Sequence, residues 1–400
     1  MRTYRTQVIT YDFPHITHIN DVLPHISGKD EFRVMEKDWY TVINYAVAFE
    51  ETFKWDANDP VGSSIRRECR GLIFNTETGN LISHPYHKFF NAGEKEETQL
   101  NKINLYEPHI VLEKLDGSMI RPIPTPEGFR LGTKAGITDV AMNAEVFVAD
   151  KPHYARFIHK CLLMNVTPIF EWCSRKNRVV IDYPEDNLIL TGMRYNDTGK
   201  YVDYQVMVDY ADAWSIPVVQ AVDGLAVQNI ELFVKQVREW ESEEGVVVRF
   251  DNGHMCKVKA DDYVLRHKSK DSISQEKNVI DCILGDAVDD LVPLLTPEDG
   301  ERLRSFQGAF WKGLEDVCTD IHDLYKQIDK GQDQKEYATM AVPSVLPQYQ
   351  PFMYKLRKGV PVKDLVIEQI RKSLGSQPKI DTARWLWGNL NWNHIDTQEP

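Results

Sequence analysis

Between residues 40 and 260 the apolar positions fall in short runs, many of them β-branched or aromatic. The runs include TVINYAVAF, RGLIFN, HIVLEKL, TPIFEW, NRVVIDY, NLILTGMRY and EGVVVRF. Turn residues separate them, which predicts strands. The clearest pair is VVVRFDNGHMCKVKA, where two alternating segments flank Asp251-Asn252-Gly253. Asn-Gly favours the tight hairpin turn because both of its central residues need positive φ. Helices are predicted in NAEVFVADKPHYARFIHKCLL and NIELFVKQVREWES. Past about residue 265 the period changes. Phe310, Leu314, Val317, Ile321, Leu324 and Ile328 recur at helical spacing, as do Leu365, Val366, Ile370 and Leu374. The expectation is an α+β domain over residues 1–262 and an all-helical domain over 263–400.

Composition places the chain among globular proteins, with 42% hydrophobic and 27% charged residues. The first ten residues, MRTYRTQVIT, contain no apolar core of a leader, and no apolar run reaches bilayer length. A soluble intracellular protein with no membrane partner is therefore expected. The six cysteines include no Cys-x-x-Cys pair, so they read as reduced and mostly buried rather than as zinc ligands or a redox couple. The histidines show no ligand spacing, and His84, His87 and His109 read as structural.

A net charge of −13 argues against a nucleic-acid partner. Local balance changes that picture. Residues 114–180 hold ten Lys and Arg against six Asp and Glu, and residues 255–270 hold five against two. Phosphates could be met there.

The candidate chemistry centres on Lys114, in VLEKLDGSMI. Alone, it reads as an ordinary hairpin lysine. It gains weight from what accompanies it in order: RRECRG with Glu68, Arg70 and Gly71; HPYHKFFN with Lys88; TKAG with Lys134; IFEW with Glu171; EEGVVV with Glu244; and KVKADDY with Lys257, Lys259 and Tyr263. A free lysine amine has a pKa of about 10.4 and is not nucleophilic at neutral pH. Neighbouring cations lower that value. Lys257 and Lys259 lie two apart on a predicted strand and so share a face. They could neutralise a phosphate and help depress the Lys114 amine. Glu171 and Glu244 could position a hydrated Mg²⁺ through water. Arg70 and Lys88 could hold outer phosphates. There is no Gly-x-x-x-x-Gly-Lys-Ser/Thr loop, so a triphosphate would be held by side-chain cations. These parts suit attack by a lysine on a nucleoside triphosphate.

The order and spacing resemble the covalent nucleotidyltransferase superfamily of DNA ligases, RNA ligases and capping enzymes. ECRG, HKFFN, EKLDGS, NRVVIDY, EGVVV and KVKADDY more closely resemble bacteriophage ATP-dependent RNA ligases of the tRNA-repair type, the RNA ligase 1 family. The resemblance spans roughly residues 40–295. It implies an antiparallel-rich, ATP-grasp-like nucleotidyltransferase domain and a helical C-terminal domain suited to a structured RNA. It implies that Lys114 forms a lysyl-AMP, that AMP passes to an RNA 5′-phosphate, and that a 3′-hydroxyl then displaces it. By the same resemblance Glu171, Glu244, Lys257 and Lys259 are core catalytic positions. Tyr45, Arg70, Lys88, Glu113 and Lys134 contact the nucleotide, and Asp289 falls where the family has a metal-associated aspartate. The implied cofactors are ATP and Mg²⁺, with Mn²⁺ able to substitute. The implied partners are nicked tRNA or single-stranded RNA ends and an end-healing kinase-phosphatase, around a monomeric enzyme.

Capping enzymes and DNA ligases follow the last lysine motif with an oligonucleotide-binding barrel. Here helices follow Lys259, which favours RNA ends. Three other readings stay open: a DNA ligase, a GTP-using capping-type enzyme, and a non-catalytic RNA-binding protein with this fold. Individual residues have plainer readings too. Glu244 stands in an acidic run, Lys88 could lie across core aromatics, and the Trp-rich tail RWLWGNLNW reads as packing more than base stacking.

Overall fold

The structure is a computed structural model that describes residues 13–49 and 51–394. Its chain divides into two units, Met1–Val264 and Leu265–Pro400.

Among the described residues, three four-stranded sheets build the first unit. The strands are β1 (Phe32–Glu36), β2 (Tyr40–Tyr45), β3 (Arg70–Asn75), β4 (Leu81–Ser83), β5 (Phe90–Asn91), β6 (His109–Glu113), β7 (Ser118–Thr125), β8 (Gly128–Gly132), β9 (Val166–Cys173), β10 (Asn187–Tyr195), β11 (Gly245–Phe250) and β12 (Met255–Lys259). Their orders are β1-β2-β3-β4, β10-β9-β7-β8 and β5-β12-β11-β6. Only β5 and β12 pair in parallel among the described strands; the other pairs are antiparallel.

Alternation in β11 decides which side chains face where. Val246, Val248 and Phe250 are buried against Val111 and the apolar stripe of helix Ile230–Arg238, Phe233, Val234 and Val237. Val247 and Arg249 therefore face the opposite side. The register sets Lys257 across from Val247 and Lys259 across from Gly245. On the second sheet, Ile120, Phe170, Trp172, Leu188 and Leu190 bury themselves under helices Asp139–Ala149 and Pro152–Leu163, through Tyr154, Phe157 and Ile158.

Two local expectations change. NRVVIDY forms no strand. The N–H groups of Val180 and Ile181 both donate to Asp116 Oδ2 at 2.7 Å, so these backbone groups are satisfied by a side chain instead of a ladder. The helical stretch before residue 163 is two helices, because Pro152 starts a new one.

The second unit is helical. Thr296 caps the 32-residue helix Pro297–Ile328 by accepting from the Asp299 N–H. Leu303, Phe306, Phe310, Leu314 and Ile321 form its buried stripe. Trp387 and Trp392 are buried against Phe310 and Phe306, in keeping with a packing role for the Trp-rich segment. No described helix is long and apolar enough to cross a membrane. Cys69, Cys161, Cys173, Cys256 and Cys318 are buried and free.

Candidate active site

Lys114 stands directly after β6, where its N–H donates to the Gly245 carbonyl at 2.8 Å. That bond sets it against the start of β11. Glu244, 4% exposed, precedes the same strand, and Ala260 N–H donates to its carbonyl at 3.0 Å. Two strand ends and a loop thus converge on one carboxylate. Glu244 Oε1 lies 2.7 Å from Lys114 Nζ and 2.9 Å from Lys259 Nζ. Gly245 makes this possible. Its φ is +133°, and a Cβ there would stand 2.1 Å from the Val258 carbonyl oxygen.

Beside this trio lies a cavity of about 250 Å³. Phe89, Leu112, Met119, Val247 and Met255 give it apolar walls, and Arg70, Lys114, Glu171 and Lys257 give it a charged rim. An apolar slot with a few convergent polar groups is the usual form of a small-ligand site. Burial, reinforced by Lys88, Lys114, Arg70 and Lys259, pushes the Lys257 amine down to about 7. Burial pushes the Glu171 carboxyl up to about 7, with Glu244 acting in the same direction and Lys114 and Arg70 opposing. Arg70 Nη1 lies 3.2 Å from Met119 Sδ. Glu113 borders the cavity as well, although the register pairs it with Val246 of the core face. Burial and nearby Glu243 raise its carboxyl.

Tyr45, Lys88 and Lys134 form a second cationic group with Arg70. Lys134 Nζ lies 4.6 Å from the Tyr45 ring centre and Lys88 Nζ 5.4 Å. Burial alone would raise the Tyr45 hydroxyl, but Lys88, Arg70 and Lys134 outweigh it and hold it below its usual value. Burial also lowers the Lys88 amine, and Arg70 and Lys134 add to that. Gly71, at φ +96°, lets the Lys134 backbone come close, since a Cβ would meet it at 2.8 Å.

Sequence reasoning gave Asp116 no role. It is 4% exposed and ties the loop after Lys114 to distant segments. Its Oδ1 accepts from the Tyr263 hydroxyl at 2.7 Å, its Oδ2 from Val180 and Ile181, and its N–H donates to the Tyr183 hydroxyl at 2.8 Å. Its place beside Lys114 was the available signal. Glu68 is structural: it is 1% exposed and bound by Arg194 at 2.7 Å and His84 at 3.1 Å. His87 likewise bonds the Tyr201 hydroxyl, at 2.9 Å. Asp289 is exposed on the short helix Val288–Leu291 of the second unit, so it is not one of the side chains gathered in the first unit.

No group of three or more His, Cys, Asp or Glu side chains that could hold a metal ion occurs among the described residues. The carboxylates that line the cavity or belong to its neighbouring trio are Glu113, Glu171 and Glu244, and Glu244 is already shared by two lysines. This donor set does not fit an all-protein cage. It does fit a Mg²⁺ that keeps much of its water and takes phosphate oxygens plus one carboxylate.

A family model described as RNA ligase matches residues 68–272, and one described as T4 RNA ligase 1, C-terminal domain, matches residues 270–377. A Thermovibrio ammonificans protein named "Putative RNA ligase" is 27% identical, over 80% of this chain and 84% of its own. An RNA ligase of Rhodothermus phage RM378 is 24% identical, over 67% of this chain and 74% of its own. A nuclear polyhedrosis virus protein of Autographa californica, named for both polynucleotide kinase and RNA ligase, is 26% identical over 66% of this chain. The match spans 39% of that longer protein.

Proposed function

The chain belongs to the RNA ligase family, and from that premise we propose that Lys114 is the nucleophile of an ATP-dependent ligase joining RNA 5′-phosphate and 3′-hydroxyl ends. The observation that carries the reading is the carboxylate of Glu244 shared by Lys114 and Lys259 at the rim of an apolar, cation-edged cavity.

In the first step the unprotonated Lys114 Nζ attacks the α-phosphorus of ATP. The bond from that phosphorus to the bridging oxygen breaks, pyrophosphate leaves with the electron pair, and a lysyl-AMP remains. Glu244 orients the amine, while Lys257 and Lys259 offset charge on the α-phosphate. The cluster of Tyr45, Arg70, Lys88 and Lys134 suits the outer phosphates. Glu113 completes the nucleotide-contacting set. When bound beside Glu171, Mg²⁺, or Mn²⁺ in its place, supplies further charge neutralisation on the phosphates.

In the second step an RNA 5′-phosphate oxygen displaces Lys114 from AMP. In the third, a 3′-hydroxyl oxygen attacks that activated phosphorus and AMP leaves. The RNA acceptor is a nicked tRNA or another single-stranded pair of ends, met by a monomer whose helical unit selects the substrate. A kinase-phosphatase prepares the ends; that a viral relative is named for polynucleotide kinase and RNA ligase in one protein supports the kinase part of this link. The reading places the protein in the cytoplasm and leaves Asp289 as a metal-associated position of the helical unit.

The test is intact-protein mass spectrometry after incubation with Mg²⁺ and either ATP or GTP, on wild type and Lys114→Ala. An AMP-sized adduct from ATP alone, absent in the variant, is expected. A GMP adduct would assign capping-type chemistry. No adduct from either, after stripping with pyrophosphate, would leave a non-catalytic RNA-binding protein.

A further inference from the structure

The second unit, Leu265–Pro400, segregates its charge. Residues 355–379 hold seven Lys and Arg against two Asp and Glu, while the rest of that unit holds eleven against nineteen. Basic residues gathered in one short stretch of an otherwise acidic domain are the footprint of a polyanion site.

The fold turns this stretch into the rim of a cleft. Helices Gln350–Leu356, Val362–Ser373 and Gln377–Ala383 and the turn Arg384–Trp387 line a cavity of about 570 Å³. That lies within the usual range of about 300–1,000 Å³ for a ligand cleft. Phe352, Leu365 and Leu386 are buried in its floor. Trp385 joins them and is the one tryptophan of RWLWGNLNW that is only partly buried. Tyr349 and Phe352 cross its indole at 85° and 86°, with ring centres 5.3 and 6.2 Å away, which fixes its orientation.

Lys355, Lys372 and Lys379 stand exposed on the rim. Leu365, Glu368 and Lys372 follow at spacings of three and four, so floor and rim share one helix stripe. Glu368 Oε2 lies 3.0 Å from Lys355 Nζ, and its Oε1 lies 2.5 Å from Lys372 Nζ. One carboxylate thus holds two ammoniums in place. Each ammonium has three N–H donors and uses one of them there. Lys379 makes no ion pair among the described residues. Three cations against one carboxylate leave the wall positive. A nucleic-acid strand supplies the complement, phosphates for the ammoniums and a base with an apolar face for the floor. Carboxylates alone would satisfy the lysines and leave that floor uncovered.

We propose that this cleft binds one unpaired nucleotide of an RNA strand, with its base on the Trp385 floor and the flanking phosphates on Lys355, Lys372 and Lys379. That the strand is RNA rests on the reading that the chain joins RNA ends.

The experiment measures binding of the full chain to a fluorescently labelled single-stranded RNA, and to the same RNA annealed to its complement, by anisotropy over a series of salt concentrations. Wild type, Lys372→Glu, Lys379→Glu, Trp385→Leu and Lys335→Glu are compared, with far-UV circular dichroism as the check on folding. Lys335 is exposed on the short helix Gln334–Glu336 and does not line the cleft, so its reversal controls for net charge. Wild type should prefer the single strand. Lys372→Glu and Lys379→Glu should each weaken that binding about 10-fold and make its salt dependence shallower. Lys335→Glu should match wild type. Trp385→Leu should lose about 5- to 150-fold, the stacking of one base. If Trp385→Leu unfolds, the lysine variants decide.

Equal affinity of wild type for single strand and duplex would overturn the unpaired nucleotide. Unchanged RNA affinity in both cleft lysine variants, or an equal loss in Lys335→Glu, would overturn the site and leave the cleft to an acidic protein partner. A wild type that shows the expected binding series but forms no adduct with ATP would remove the ligase reading and leave the cleft standing.

Discussion

Lys114 Nζ stands 2.7 Å from Glu244 Oε1, and the backbone N–H of Lys114 is bonded to the carbonyl of the residue that follows that glutamate. Lys114 is thus fixed at both its backbone and its tip by one dipeptide. Glu244→Gln keeps the shape and removes the charge, leaving Lys114 and Lys259 beside each other without their shared carboxylate. Adduct formation should fall by about 100- to 1000-fold, the usual cost of losing one preorganised charged partner. Circular dichroism should stay native, because both lysines reach solvent in part. A collapse of the fold would make Glu244 structural.

Lys257 provides a pH signature. Its amine is pushed down to about 7 by burial first, then by Lys88, Lys114, Arg70 and Lys259. The ammonium that would hold a phosphate is present below that pH and lost above it. KM for ATP in the first step should therefore rise as pH goes from about 6.5 to 8.5. Lys257→Arg stays charged throughout and should flatten that rise. Titration of ATP itself is common to both proteins, so the difference isolates Lys257. The stability sign follows from the lowered folded-state value: the contribution is present above the ordinary lysine pKa and is lost as pH falls through about 7. Lys257→Met should accordingly resist urea better than wild type at pH 6, with the advantage shrinking towards pH 10.

Glu68 should matter for stability and not for chemistry. Burial would raise its carboxyl, but Arg194 and His84 outweigh burial and hold it far below the usual carboxylate range. Arg194 is fully buried, so Glu68→Gln leaves a buried guanidinium without its countercharge, although the Gly199 and Pro85 carbonyls still accept from it. Unfolding in urea at pH 7 should show a loss of about 3–5 kcal/mol. Because the folded value is lowered, the wild-type contribution is complete above the ordinary carboxylate pKa and is lost as pH falls through the folded value. The gap between the two proteins should therefore narrow with acid. Adduct formation per folded molecule should be unchanged; a specific loss of rate at native stability would move Glu68 into the site.

Much of this site is legible from the chain because its chemistry sits at strand ends. The β11–β12 hairpin shows in its alternation, and that register alone puts Lys257 and Lys259 on one face; its turn, however, is a three-residue loop, Asp251-Asn252-Gly253, in which Gly253 alone has positive φ, +89°, instead of the two-residue Asn-Gly turn expected. Other parts depend on long-range partners that local pattern does not encode. NRVVIDY reads as a strand by composition, yet Asp116, more than 60 residues away, takes two of its N–H groups. β7, SMIRPIPT, is hidden by Pro122 and Pro124, which supply no ladder donors. Arg249 looks like an outward-facing residue of an alternating strand, and only the cavity shows what that face meets. Asp289 matches by position in the chain, which carries no geometry.

The Glu244-Gly245 step gives the sharpest test of how backbone shape serves the chemistry. Gly245 opens β11 opposite Lys259, at φ +133°, a region that side chains seldom enter. An alanine Cβ there would lie 2.1 Å from the Val258 carbonyl oxygen and 2.8 Å from the Lys259 Cα. Both are backbone atoms of β12, so no rotamer change relieves the clash; the strands must separate or the φ must change. Either movement pulls Glu244 away from Lys114 and Lys259 and disturbs the Lys114 N–H bond to the Gly245 carbonyl. Gly245→Ala should therefore lose more than about 2 kcal/mol of stability, combining backbone strain with a broken ladder. It should also form adduct more slowly than Glu244→Gln at a temperature where both are folded. Gly28→Ala is the control: it too has positive φ, +73°, but its Cβ would meet nothing within 4 Å. It should cost about 1 kcal/mol from the left-handed conformation alone and leave the rate of the first step intact. Equal rates for Gly245→Ala and wild type would show that the spacing of the two strands does not hold the nucleophile.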